Sequence, residues 1–288
     1  MLKIIECPRD AMQGLSHFID TDIKISYLNS LLQVGFDTLD FGSFVSEKAI
    51  PQMRDTAQVL EGLDLSDTKT KLLAVIAGFG GLKRAIEYEQ INYLGFPLSI
   101  SETFQLRNTK KTIEEALEVV SDAQDLCLKH GKTLVVYLSM AFGNPYKEAY
   151  TPEIVTEFMS KLDKMEIKIV QLSDTIGSSN ENNIIPLFES LNKEFSNIEI
   201  GAHFHSPIRT ANEKIEAAYK AGCRRFDGAM LGFGGCPMAK DELTGNIPTE
   251  SILAFANIND IETGLSLEKF GASLHQAKMV FNQKVLTS

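Results

Sequence analysis

Asn197-Ile198-Glu199-Ile200-Gly201-Ala202-His203-Phe204-His205 begins with the residues of a strand and closes on two histidines. The short run with β-branched Ile198 and Ile200 predicts extended backbone over 197–203. Side chains along a strand alternate between faces, so His203 and His205 point the same way. Two imidazoles on one face at the C-terminal end of a strand suit a single cation, since neutral imidazole is the commonest protein metal ligand. Read alone, the pair serves equally as histidines satisfied by hydrogen bonds in a polar strand end.

Outward from that strand the chain repeats one order, strand then helix. Short apolar runs predict strands at 2–7, 36–42, 71–77, 92–99, 133–140, 167–172, 197–203 and 224–229. Helical stretches fall near 22–34, 51–61, 80–89, 112–130, 152–164, 182–195 and 209–221. In 112–130, Thr112 suits a cap, Glu114 and Glu115 the first turn, and Gly131 the stop; Ile113, Leu117 and Val120 share a side. Eight strands in alternation over 288 residues predict an α/β fold, a single (β/α)₈ TIM barrel with extra C-terminal helices. An open doubly wound sheet would place a glycine-rich phosphate loop after the first strand, where Pro8-Arg9-Asp10-Ala11 stands. No linker, repeat or low-complexity segment interrupts the chain. One domain over 1–288 is therefore expected, with a helical extension at about 250–288 opened by Thr249-Glu250 and Ser266-Leu267.

Composition narrows the function. At 44% hydrophobic and 23% charged the chain is that of an ordinary globular protein. Its net charge of −10, without a block of Lys and Arg, argues against nucleic acid or an anionic membrane as partner. No run approaches the 18 or so apolar residues of a membrane span. Met1 leads directly into Leu2-Lys3-Ile4-Ile5, which leaves no room for a targeting peptide. Four scattered cysteines, Cys7, Cys127, Cys223 and Cys236, form no CxxC pair, so free thiols in a cytoplasmic protein are expected.

Barrel chemistry is built from the C-terminal ends of strands. Those positions hold Pro8-Arg9-Asp10, Asp40 with Ser43, Ser139-Met140, Ser173-Asp174-Thr175-Ile176-Gly177, His203 with His205, and Gly232-Phe233-Gly234-Gly235-Cys236-Pro237 followed by Gly245-Asn246. Asp10, His203, His205 and the amide oxygen of Asn246 offer two nitrogens and two oxygens, a set suited to Mg²⁺ or Mn²⁺ more than to zinc. Asp10 alone reads as a cap, and Asp174 equally as a turn residue. Asp40 interrupts an apolar strand and needs a partner or a task, because an unpaired buried charge is costly. Arg9 is a salt-bridge partner or a holder of an enolate or carboxylate oxygen. Cys236 lies among glycines in a loop suited to a mobile flap that carries a proton donor; a chance cysteine in a tight turn is the plainer alternative. The other three cysteines read as packing residues.

Six pieces in order resemble the 3-hydroxy-3-methylglutaryl-CoA lyase family, within the wider group of metal-dependent barrel lyases and acyl-CoA condensing enzymes. They are Pro8-Arg9-Asp10 with Gln13, Ser43-Phe44-Val45-Ser46 with Pro51-Gln52-Met53, Phe142-Gly143-Asn144-Pro145-Tyr146, Asp174-Thr175-Ile176-Gly177, His203-Phe204-His205, and Gly234-Gly235-Cys236-Pro237 with Gly245-Asn246. The resemblance implies that Asp10, His203, His205 and Asn246 bind a divalent cation, Mg²⁺ or Mn²⁺, and that Arg9 and Cys236 are catalytic. By the same resemblance Asp40 matches an acidic active-site position. Arg9, Gln13, Ser43 and Asp174 belong to the substrate side, and Asp174 also lies beside or behind the metal. The implied reaction is a divalent-metal-assisted retro-Claisen cleavage of 3-hydroxy-3-methylglutaryl-CoA, or a close 3-hydroxyacyl-CoA, to acetoacetate and acetyl-CoA, in a homodimer. A base, Asp40 or a histidine, takes the hydroxyl proton.

Ala11 and Met12 stand where the family has glycine and leucine, Ser16 where it has a lysine that helps hold the CoA end, and Ser206 where it has an aspartate. The synthases of the wider group share the arginine-aspartate pair and the histidines. The loop cysteine separates cleavage from an isopropylmalate- or citramalate-synthase-like condensation of an acyl-CoA with a 2-oxo acid. A barrel that only binds a metal or acyl-CoA is the third reading.

Overall fold

Each short apolar run pairs in parallel with its neighbour in the chain. The strands are β1 (Lys3–Glu6), β2 (Thr38–Ser43), β3 (Lys71–Val75), β4 (Ile91–Ser99), β5 (Thr133–Ser139), β6 (Ile169–Asp174), β7 (Glu199–Phe204) and β8 (Arg225–Gly228). They close into a barrel when β1 meets β8, with Lys3 opposite Arg225 and Glu6 opposite Gly228. The structure is a computed structural model that describes residues 1–235 and 244–281.

Period two divides each strand between two cores. Leu73, Val75, Tyr93, Val135, Tyr137 and Ile169 fill the barrel interior. Alternate residues such as Leu72, Leu94, Val136 and Val170 face outward and join the larger core beneath the helices. Fully burying each such side chain is worth roughly 1.5–3 kcal/mol.

The helices are α1 (Pro8–Gln13), α2 (Thr21–Leu32), α3 (Thr56–Glu61), α4 (Phe79–Ala85), α5 (Glu102–Thr109), α6 (Ile113–Lys129), α7 (Pro152–Lys164), α8 (Glu181–Glu194), α9 (Ile208–Lys220), α10 (Thr249–Ile258) and α11 (Leu267–Phe281). In α6 the Thr112 side chain takes the Glu115 N–H at 3.1 Å while Glu115 takes the Thr112 N–H at 2.8 Å, a reciprocal cap. Its buried stripe is Ala116, Val120, Ala123 and Cys127, with Ile113 and Leu117 half-buried beside it. Helix α11 returns to the start of the chain, its Phe281 ring edge-on to Tyr27 at 6.1 Å. The expected C-terminal helices are thus α10 and α11; residues 282–288 lie outside the described residues. Among the described residues no helix is long and apolar enough to cross a membrane.

Three local expectations need correction. Helix α1 was not expected; Pro8-Arg9-Asp10, which follow the first strand, form its first turn, where Pro at the first position gives up a donor that has no intrahelical partner. The stretch 51–61 divides into a 3₁₀ turn over Pro51–Met53 and α3. Helix α5 was not expected, although Ser101 caps it by accepting the Phe104 N–H at 3.2 Å.

Candidate functional site

Asp10, His203 and His205 meet at the C-terminal mouth of the barrel, each offering a ligand atom, all within 4.8 Å of one another. The turn into α1 directly after β1 swings Asp10 over the mouth. His203 sits in β7 and His205 follows its last residue, so the pair keeps the same-face relation, ring centroids 5.2 Å apart. His203 Nδ1 lies 3.0 Å from Asp227 Oδ2, and His205 Nδ1 lies 3.1 Å from the Thr175 carbonyl oxygen. With Nδ1 tied in both rings, Nε2 is left for the mouth. His205 Nε2 is buried and has no partner among the described residues. An orphaned imidazole nitrogen beside a carboxylate is the polarity a cation would complete.

Asn246 donates from Nδ2 to Asp10 Oδ2 at 2.6 Å and to the Phe233 carbonyl at 2.9 Å. A backbone bridge between His205 and Asn246 fixes the two side by side. Gly234, at φ +104°, passes so close that a Cβ there would overlap Asn246 Nδ2 and approach the Asp10 carbonyl oxygen to 2.8 Å. Only glycine satisfies both the conformation and the space.

Arg9 is the second centre of charge. Its Nε and Nη2 grip Asp40 at 3.0 and 2.6 Å from Oδ2, while Nη1 donates to Asp10 Oδ1 at 3.0 Å and to Gln13 Oε1 at 2.9 Å. Gln13 in turn donates to Asp10 Oδ1 at 2.5 Å. Of five guanidinium hydrogens, one on Nη2 has no partner among the described residues.

Electrostatics follow this geometry. Burial works to raise the Asp10 carboxyl, but Arg9, the two imidazoles and the Asn246 amide hold it at about 2, so it is an anion. Burial, with the neighbouring His203, lowers His205 to about 4, which keeps it neutral and able to ligate. Burial opposes a charge on His203, yet the Asp227 hydrogen bond and charge prevail and raise it. Burial lifts the Asp40 carboxyl to about 6 against the lowering influence of Arg9.

Arg9, Asp10, Gln13, Tyr137, His203 and His205 line one side of a cavity whose other side is apolar, with Val45, Ile50, Val75, Pro97 and Phe104. Asp40, Ser43, Asp174 and Asn246 are buried behind that lining. The Ser43 hydroxyl accepts the Val45 N–H at 3.2 Å. Asp174 takes Lys214 Nζ at 2.7 Å and the Ser178 and Ser179 N–H groups, and Lys214 also reaches the His205 carbonyl at 3.0 Å. Asp174 thus fixes the backbone that carries His205. Cys236 lies outside the described residues.

Sequence reasoning missed Asp227, Gln171 and Lys214. Gln171 Nε2 donates to Asp227 Oδ1, which aims the other oxygen at His203. For Asp227 the available signal was a carboxylate inside a short strand, Arg225-Phe226-Asp227-Gly228, which is buried throughout.

The HMGL-like family profile matches residues 2–276. Hydroxymethylglutaryl-CoA lyase YngG of Bacillus subtilis is 34% identical over 262 residues, 91% of this chain and 87% of that protein. The cytoplasmic 3-hydroxy-3-methylglutaryl-CoA lyase of Rattus norvegicus is 31% identical, over 93% of this chain and 78% of its own length. A crystal structure of the B. subtilis HMG-CoA lyase superposes with TM-score 0.90 at 31% identity, covering 100% of this chain and 98% of that one. An Acinetobacter baumannii HMG-CoA lyase, solved with coenzyme A and 3-methylmalate, gives TM-score 0.90 at 28% identity, covering 98% and 92%.

Proposed function

Since this chain belongs to the HMGL-like family, we propose that it is a carbon–carbon lyase cleaving 3-hydroxy-3-methylglutaryl-CoA to acetoacetate and acetyl-CoA. The observation that carries the reading is Asp10, His203 and His205 gathered within 4.8 Å beside the buried Arg9 guanidinium. We read the active unit as the single domain 1–288, working as a homodimer in the cytoplasm.

Asp10, His203, His205 and Asn246 would hold a divalent cation, Mg²⁺ or Mn²⁺ by the donor set, which would supply Lewis acidity that acidifies the substrate's tertiary hydroxyl. The hydroxyl proton passes to Asp40 or a histidine. With the Arg9 fork closed on it, Asp40 positions that guanidinium; it accepts a proton only when the fork opens. The carbon–carbon bond then breaks and its electron pair becomes the acetyl-CoA enolate. The free Nη2 hydrogen of Arg9 meets the developing enolate oxygen, a pre-aimed charge in an enclosed site. The Cys236 thiol proton moves to the enolate carbon and completes acetyl-CoA. Gln13 keeps Arg9 and Asp10 in register, and Asp174 holds the backbone of His205.

The test is acetoacetate release by purified protein with Mg²⁺ or Mn²⁺ across hydroxyacyl-CoA thioesters of increasing 3-substituent size. A Pseudomonas aeruginosa relative at 30% identity is named for both isohexenylglutaryl- and methylglutaryl-CoA substrates, which sets the range of the panel. No acetoacetate or matching oxo acid from any thioester, with free CoA thiol formed from acetyl-CoA and a 2-oxo acid instead, would replace cleavage by condensation.

A further inference from the structure

A second set of ligand atoms lies against the other edge of His203, also built from buried residues. Cys7, His203 and Asp227 each offer one ligand atom, all within 4.8 Å of one another, and all three residues are buried. The cleavage chemistry does not use Cys7, and it uses the Nδ1 edge of His203 only to orient the ring. Cys7 lies between β1 and α1, and Asp227 sits in β8 with Gln171 fixing one oxygen and His203 Nδ1 3.0 Å from the other. The Tyr137 ring stands edge-on to His203 at 5.4 Å. Its hydroxyl is buried without a partner among the described residues and is pushed up by burial, then by Asp227 and Cys7. A thiol, an imidazole nitrogen and a carboxylate are thus gathered in the buried interior, beside the ring of a tyrosine whose hydroxyl has no partner among the described residues.

The donor set selects the ion. A sulfur ligand beside nitrogen and carboxylate oxygen suits Zn²⁺ or Cd²⁺ and disfavours Mg²⁺ and Ca²⁺. We infer that Cys7, His203 and Asp227 form an inner site for a thiophilic divalent cation, and that filling it disables the outer one. As the cation bonds to Cys7 Sγ, the thiol proton leaves to solvent, because a coordinating thiol is deprotonated outright. The cation also takes the place of the Nδ1 proton that His203 shares with Asp227, and the neutral ring then carries its proton on Nε2. Starting from a neutral His203, one proton is released per cation. An Nε2–H is a donor and no longer a ligand, so inner and outer cations compete for one histidine. The site itself stands apart from the lyase reading; only the exclusion rests on the outer set being a cation site.

Cadmium alone is the probe. Titrating the full chain with Cd²⁺ is expected to raise an ultraviolet thiolate-to-cadmium band that saturates at one ion per chain. The band should disappear in Cys7→Ser and persist in Cys236→Ser. A band kept by Cys7→Ser and lost in Cys236→Ser overturns the site. Excess Mn²⁺ should move the Cd²⁺ midpoint upward in proportion to its concentration, and an unmoved midpoint overturns the exclusion. Anomalous diffraction from crystals of the unaltered protein soaked in Cd²⁺ needs no variant. A peak bonded to Cys7 Sγ supports the site, and a peak only among Asp10, His203 and His205 overturns it.

Discussion

Arg9 and Asp40 form a closed fork, with Nε 3.0 Å and Nη2 2.6 Å from one carboxylate oxygen, although 31 positions separate them in the chain. The pair joins the first turn of α1 to the middle of β2, and with Asp10 and Gln13 on Nη1 one guanidinium hydrogen has no partner among the described residues. Arg9→Met should therefore lower kcat by a factor on the order of 10² or more, as for loss of an oxyanion donor. Without the guanidinium, the Asp40 carboxyl, already lifted to about 6, takes up a proton and the fold persists. Steady-state kinetics with a parallel Mn²⁺ titration checks this; lost turnover accompanied by lost metal binding would mean that Arg9 serves the metal ligands instead.

Metal affinity should fall in a graded order. Asp227→Asn removes the partner that orients His203, and loss of such a support costs on the order of 10–100-fold in affinity. His205→Ala removes a ligand outright and should cost more. Calorimetric Mn²⁺ titration gives both numbers, and an unchanged His205→Ala isotherm refutes its role.

Only one thiol should react in the native enzyme. Burial drives Cys7 upward and Cys127 and Cys223 to about 12, so none of the three forms a thiolate near neutrality. Iodoacetamide should inactivate by modifying Cys236, more slowly with substrate present. Peptide mapping that found equal inactivation through another cysteine would remove the Cys236 assignment.

Lys214→Met should destabilise by about 3–5 kcal/mol, since it strands the buried Asp174 carboxylate and frees the His205 carbonyl. Urea unfolding reads the loss. Wild-type stability in the variant would show that the Ser178 and Ser179 bonds to Asp174 suffice.

Glu6 provides a pH dependence away from the mouth. It is fully buried, accepting the Thr249 hydroxyl at 2.6 Å and the Met230 N–H at 2.8 Å, and burial raises its carboxyl to about 8. The folded chain thus keeps a proton that the unfolded chain loses near 4.5. The Glu6 contribution is full below that value and is lost as pH rises through about 8. Thermal unfolding from pH 5 to 9 should show a decline that Glu6→Gln flattens; parallel curves for the two proteins would contradict it.

Local patterns made much of this legible. Alternating apolar strands and amphipathic helices predicted the barrel, and the His203-Phe204-His205 spacing predicted a shared face, because periods of 2 and 3.6 are printed along the chain. The cap of α6 was readable in Thr112 and Glu115 for the same reason. Helix α1 was not legible because its six residues are too few to show a helical period.

What the sequence by itself determined was therefore the alternation, the parallel barrel and which strand ends carry donors. Tertiary structure alone decided which donors meet: Asp10 with Asn246 across 236 positions, Asp227 with His203, and Arg9 with Asp40. The physical reason is closure. When β8 pairs with β1, strand ends remote in sequence become neighbours around one mouth, and pairings set by barrel register leave no local periodic signal.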